Sequence, residues 1–182
     1  EVASKKFIDE KEFYLETMEM SHGAPTNAYS FVIKDKRRLL KEKIKKLKLP
    51  NSPLLGKLQN GQDVTIEGRK IKASLVSYLE KGRKITFILD TAFNENAIKL
   101  AKNSDLLICE SSFSKDDAEL AKEYKHMTSL QAAAIAKKSN SKKLILTHIS
   151  QRYEQSFDKI LKEAKKVFKN TLIAKDFDAF EV

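Results

Sequence analysis

Asp90, Glu110 and His148 each follow directly on a short apolar run. Two carboxylates and an imidazole gathered at one place can hold a divalent cation or pass a proton to and from a substrate. The runs before them, residues 84–89, 105–109 and 143–147, have the length and composition of buried strands. Helical periodicity fills the intervals at 94–102, 128–138 and 156–168, and further short strands are expected at 171–174 and 178–180. Thr128 with Gln131 makes a capping box, which sets a helix start just after His126. Strands alternating with amphipathic helices indicate an α/β layer structure, in which the loops at the carboxyl ends of the strands converge on a ligand site. Acidic residues also end strands as turn formers or helix caps, so position alone leaves that plainer reading open.

The amino-terminal part has a different rhythm. Phe13, Leu15 and Thr17, then Tyr29, Phe31 and Ile33, alternate with other residues as strands do, and His22, Gly23, Ala24 and Pro25 form the loop between the two runs. In the basic segment 36–49, Leu39, Leu40, Ile44 and Leu47 repeat at helical spacing until Asn51, Ser52 and Pro53 end it. Gly56, Asn60, Gly61 and Gly68 punctuate short polar elements, with Val64 and Ile66 in a small strand. Residues 34–71 therefore read as an insertion with its own local structure.

With 182 residues the chain can bury one sizeable core. At 41% hydrophobic and 33% charged it is too apolar for disorder, and no run nears the roughly 20 apolar residues that cross a bilayer. One cysteine, Cys109, excludes an internal disulfide and fits a reducing cytoplasm. Between Lys34 and Lys48, nine Lys or Arg face Asp35 and Glu42, an excess of +7 within a net charge of +10. Such a cluster suits phosphate contacts, and equally a solvated helix face.

Several pieces resemble one family. His126 and Thr128, then Gln131 and Ala132, then Leu146, Thr147, His148, Ser150, Arg152 and Tyr153 are similar to the His-x-Thr and Leu-Thr-His-x-Ser-x-Arg-Tyr motifs of the tRNase Z branch of the metallo-β-lactamase superfamily. Leu89, Asp90 and Thr91 resemble its Gly-Asp-Thr, and the segment ending Cys109-Glu110 resembles one usually ending His-Glu. His22, Gly23 and Pro25, with Tyr29 beyond, resemble its His-Gly-x-Pro stretch, and residues 53–58 with Gly61 resemble the end of its flexible arm. The order agrees throughout, and the likeness covers nearly the whole chain.

The resemblance implies half of an αββα sandwich with an inserted basic arm, and two-metal hydrolysis of a phosphodiester at the 3′ end of precursor tRNA. It implies two Zn²⁺ per complete site, with His22, Asp90 and His148 as ligands and Asp90 bridging. His126 would supply the proton to the leaving 3′ oxygen, with Glu110 orienting it or touching the metal shell. Ser150 and Arg152 would meet phosphate. In the arm, Lys36, Arg37, Arg38, Lys41, Lys43, Lys45, Lys46 and Lys48 would grip the tRNA by duplex shape, since few aromatics interleave with them.

The sequence departs from the family where His-x-His-x-Asp-His is expected, because its three histidines all lie in the other motifs. With three ligands for two ions, the chain alone is expected to bind zinc poorly and to leave RNA uncut. The start at Glu1 points to a fragment, a processed product or one half of a split enzyme. Leu89 stands for a glycine, Ser52 for a glycine before Pro53, and Cys109 for a histidine. A lone half-sandwich leaves an apolar sheet face, so the expected partners are precursor tRNA and either the amino-terminal half or a second copy. A tRNA-binding module without chemistry is the other function the sequence suggests, and neither needs a membrane.

Overall fold

The computed structural model describes residues 5–182. In chain order the strands are β1 (Lys5–Asp9), β2 (Phe13–Met20), β3 (Thr26–Ile33), β4 (Lys36–Leu39), β5 (Val64–Ile66), β6 (Arg69–Ile71), β7 (Ser77–Glu80), β8 (Arg83–Ile88), β9 (Leu106–Glu110), β10 (Leu144–Thr147) and β11 (Thr171–Ile173). The helices are α1 (Lys41–Lys46), α2 (Pro53–Gln59), α3 (Ala73–Val76), α4 (Glu95–Leu100), α5 (Ala118–Glu123), α6 (Ser129–Lys138) and α7 (Phe157–Val167). They form two compact units, Lys34–Gly82 and the remainder.

The larger unit is built on a seven-stranded sheet of order β1-β2-β3-β8-β9-β10-β11. Its first four strands pair antiparallel and β8 to β11 pair parallel. Period-2 alternation sends Ala28, Ile88, Leu107, Cys109, Leu144 and Leu146 to one face, where they form a single core with Ala97, Leu100, Ile135, Ala136 and Ile160 of the helices. Small alanines let the helices lie close on the sheet. Thr128 caps α6 through both arms of the expected capping box, fixing the first helical residue, Ser129, three residues after His126.

The other face is apolar too. Tyr29, Phe87, Ile108, Ile145 and Leu172 stand in one register row across the sheet, and Tyr29, Phe87 and Leu172 are 43%, 40% and 40% exposed. Phe7 adds its ring edge-on to Tyr29, with centroids 6.1 Å apart.

The smaller unit has its own core of Leu58, Val64, Ile71, Ala73 and Val76. A tight hairpin joins β5 to β6 through Glu67 and Gly68, both at positive φ (48° and 76°), as a two-residue turn of this hand requires. Asp35 closes the base of the unit by accepting from Lys81 Nζ and the Gly82 amide, each at 2.8 Å. The Lys81 bond, then that amide, holds its carboxyl below the ordinary range. The unit runs to Gly82, beyond the expected 71, because β7 is the antiparallel partner of β4.

That pairing also corrects the helix expected over 36–49. Lys36–Leu39 is strand, and the helix is confined to Lys41–Lys46, with Ile44 against the small core and Leu47 44% exposed. Residues 178–180 are not a strand: a turn bonds Asp178 to Lys175. Among the described residues no helix is long and apolar enough to cross a membrane.

Candidate active site

The site forms where β8, β9 and β10 end. Glu110, the last residue of β9, is fully buried, which for a carboxylate requires that every lone pair find a donor. One oxygen accepts the Thr91 amide at 2.5 Å and Nδ1 of His126 at 3.1 Å. The other accepts the Ser112 hydroxyl at 2.9 Å and the Met127 amide at 3.1 Å. Because an ionised carboxylate only accepts, the bond to His126 assigns the proton to Nδ1 and leaves Nε2 with its lone pair. Ser112 carries the same constraint further. With its single hydrogen given to Glu110, its oxygen accepts from Nδ1 of His148 at 2.9 Å, so that imidazole also turns Nε2 outward. The His148 carbonyl lies 2.9 Å from the same hydroxyl. One buried acid thus orients two imidazoles, the pattern that sets ligand tautomers at metal sites.

Asp90 meets this pair from the end of β8, with Oδ1 3.2 Å from Nε2 of His148. Donor atoms of Asp90, His126 and His148 all lie within 4.8 Å of one another. Both Asp90 (φ 49°) and His148 (φ 53°) hold left-handed backbone, a conformation that costs about 1 kcal/mol or more outside glycine and gathers at functional sites. Two imidazoles with fixed tautomers beside one carboxylate match the nitrogen and oxygen donors of a divalent zinc-type site. Only as an imidazolium, with a second proton on Nε2 and Nδ1–H kept on Glu110, could His126 instead give a proton to a leaving oxygen.

His22 lies at the edge of this cluster. Its ring is 5.0 Å from that of His126, and Nδ1 contacts the Lys125 carbonyl at 3.1 Å. Thr91 ties its loop down, since the Thr91 hydroxyl accepts the Ser21 amide at 3.1 Å and the Ala92 amide donates to the Ser21 carbonyl at 2.8 Å. Thr91 and Ser112 are hydrogen-bonded into the cluster, and residue type alone did not single them out for this. The signal for Ser112 was its place two residues after a buried acid.

A cavity of ≈ 440 Å³ opens beside the histidines, bounded by Phe113, Tyr124, His126, His148, Ser150 and Arg152. The Arg152 guanidinium lies over Phe113, 5.2 Å from the ring centroid, so Ser150 and Arg152 are near the cluster. The basic residues belong to the smaller unit. Lys36, Arg37 and Arg38 are on β4, Lys41, Lys43, Lys45 and Lys46 on α1, and Lys48 follows it. Arg37 donates to Ser77 at 3.2 Å and Arg38 to Glu80 at 2.7 Å, whereas the helix lysines are exposed.

No family model matches the chain. It is 39% identical over 179 residues to a Ribonuclease Z from Bacillus cereus strain AH187, covering 96% of this chain and 58% of that protein. It is 40% identical to a Ribonuclease Z from Listeria welshimeri, over 100% of this chain and 61% of the relative. Among solved structures, the metallo-β-lactamase fold protein YhfI from Bacillus subtilis superposes with a TM-score of 0.59 at 21% identity, covering 92% of this chain and 49% of that one. Human tRNase Z, short form, gives 0.54 at 22% identity, with 95% and 44% covered. The chain spans about three fifths of the length of the curated relatives it matches, and its fold is that of the metallo-β-lactamases. Over that span the chain belongs to the ribonuclease Z family.

Proposed function

We propose that this chain carries part of the catalytic centre of a metal-dependent endoribonuclease that removes the 3′ trailer of precursor tRNA in the cytoplasm. The observation that carries the reading is the convergence of Asp90, His126 and His148 on one point, with both imidazoles oriented from a single buried Glu110. Its relatives named Ribonuclease Z support the reaction class. Zinc bound at such a centre supplies positive charge at the phosphate and a water acidified towards neutrality.

The chain's own groups then divide the work. Asp90, His148 and His22 would hold the metal, and His126, carrying a second proton on Nε2 as an imidazolium whose Nδ1–H stays on the Glu110 carboxylate, would pass that Nε2 proton to the leaving 3′ oxygen. A two-metal centre needs more donors than these, and they come from the part of the relatives' length outside this chain, on an amino-terminal half or a partner copy. Ser150 and Arg152 orient the phosphate. The exposed lysines of α1, with Lys36, Arg37, Arg38 and Lys48, provide a salt-dependent grip on the tRNA body. A tRNA-binding role without chemistry draws support from the same basic unit, which has a core of its own.

The experiment is cleavage of a precursor tRNA by the full-length protein, with product ends mapped. Cutting at the 3′ end of the tRNA should stop on chelation, return with Zn²⁺, and be lost in His148→Ala. Binding without any cutting by the metal-loaded full-length protein would leave only the tRNA-binding role.

A further inference from the structure

The cavity beside the histidines has a ring that the core does not use. Tyr124 is 55% exposed, whereas its neighbour Phe113 is 6% exposed. Tyr124 closes α5 through its amide to the Leu120 carbonyl, and Lys125 then reverses the chain at φ 56°. This turn brings Tyr124 and His126 to the wall of the same cavity. The Tyr124 and Phe113 rings are near-parallel, 13° apart with centroids at 6.3 Å, and Phe113 lies 6.3 Å from the His126 ring. Arg152 covers Phe113 from beside it at 5.2 Å. An open aromatic face, a guanidinium and a hydroxyl from Ser150 thus surround a space next to the general acid, within the usual range of ligand pockets.

We propose that this cavity is a stacking subsite for the nucleobase adjoining the scissile phosphate, with Tyr124 as its platform and Arg152 on the flanking phosphate. The proposal rests on the RNA-cleavage reading of the histidine cluster. Aromatic platforms take bases that are out of a duplex, so the nucleotide here is unpaired, and every base offers a π-face, so base identity matters little. Arg152 adds charge beside a stacked base, which strengthens both contacts. The exposed Tyr124 is thereby a binding residue for the single-stranded end, distinct from the duplex grip of the basic unit.

The test uses the full-length protein and precursor tRNAs carrying either a natural or an abasic nucleotide on each side of the cut. For the wild type, an abasic site at one of the two positions should raise KM about tenfold, the usual scale of one base–aromatic stack. Tyr124→Ala should raise KM for the natural substrate by a similar factor, with no further rise on that abasic substrate, and Tyr124→Phe should behave as wild type. An unchanged KM in Tyr124→Ala, or equal penalties on natural and abasic RNA, would overturn the subsite while leaving the cleavage reading intact. If the wild type cuts no precursor, the cleavage reading falls. The same natural-versus-abasic comparison, read as anisotropy of a labelled single-stranded oligoribonucleotide, then decides the subsite by itself.

Discussion

Burying Glu110 beneath two imidazoles is costly unless each of its oxygens is satisfied, and the loop at 111–112, the turn at 91 and the entry to α6 do this together. Asp105 is held by the same principle at the opposite end of its strand, where the result can be read in stability. Burial pushes its carboxyl up, but bonds from Lys142 Nζ at 2.6 Å and the Lys84 amide at 2.8 Å outweigh that and hold it below the ordinary range. A carboxyl lowered in the fold stabilises above its unfolded value, about 3.9, and loses that contribution as pH falls through the folded value. Asp105→Asn should therefore cost about 1 kcal/mol in urea unfolding at pH 7, a figure discounted for the exposure of Lys142. The difference from wild type should shrink once the pH falls below the carboxylate range. An equal gap at pH 7 and pH 3 would show that the charge on Asp105 is not the source.

At the scale of elements, what was legible followed local pattern. The alternation in β2 and β3, the apolar runs of β8, β9 and β10 and the capping box of α6 all depend on neighbours in sequence, and the structure forms each of them. The basic strand β4 was hidden because its partner is some forty residues away and its leucines also fit a helix. α5 was hidden because it buries only Ala121, which leaves no apolar stripe to recognise. Within the site, Asp90, Glu110 and His148 could be picked out as strand ends, whereas the hydroxyl of Ser112 became meaningful only when folding set it between Glu110 and His148. Tyr29 and Phe87 stand side by side and exposed, whereas Ile145, between Phe87 and Leu172 in the same row, is buried. An exposed apolar patch on a sheet favours cover by another surface. In sedimentation the 182-residue chain should run as a dimer or larger species, or bind a complementary polypeptide, and Phe87→Lys should disperse it. A monodisperse wild-type monomer at micromolar concentration would count against that face as an interface.

For the whole molecule, charge and histidines are divided between the two units. Most of the +10 net charge lies on the compact unit 34–82, while all three histidines lie in the other unit at one end of its sheet. The family likeness was readable because the motif residues keep their order. The arrangement of proton donor and acceptor atoms among them was not readable, since tautomers depend on contacts across sixteen and thirty-six residues. The most direct measurement is the single-turnover rate of precursor-tRNA cleavage by the full-length protein carrying His126→Ala, with precursor affinity and unfolding measured alongside. Loss of a general acid should slow cleavage by about 10²–10⁴-fold with affinity unchanged, while unfolding should show only the modest loss expected from removing one of the four bonds to buried Glu110. A cleavage rate equal to wild type would contradict the assignment of His126, and with it the reading of this cluster as the catalytic centre.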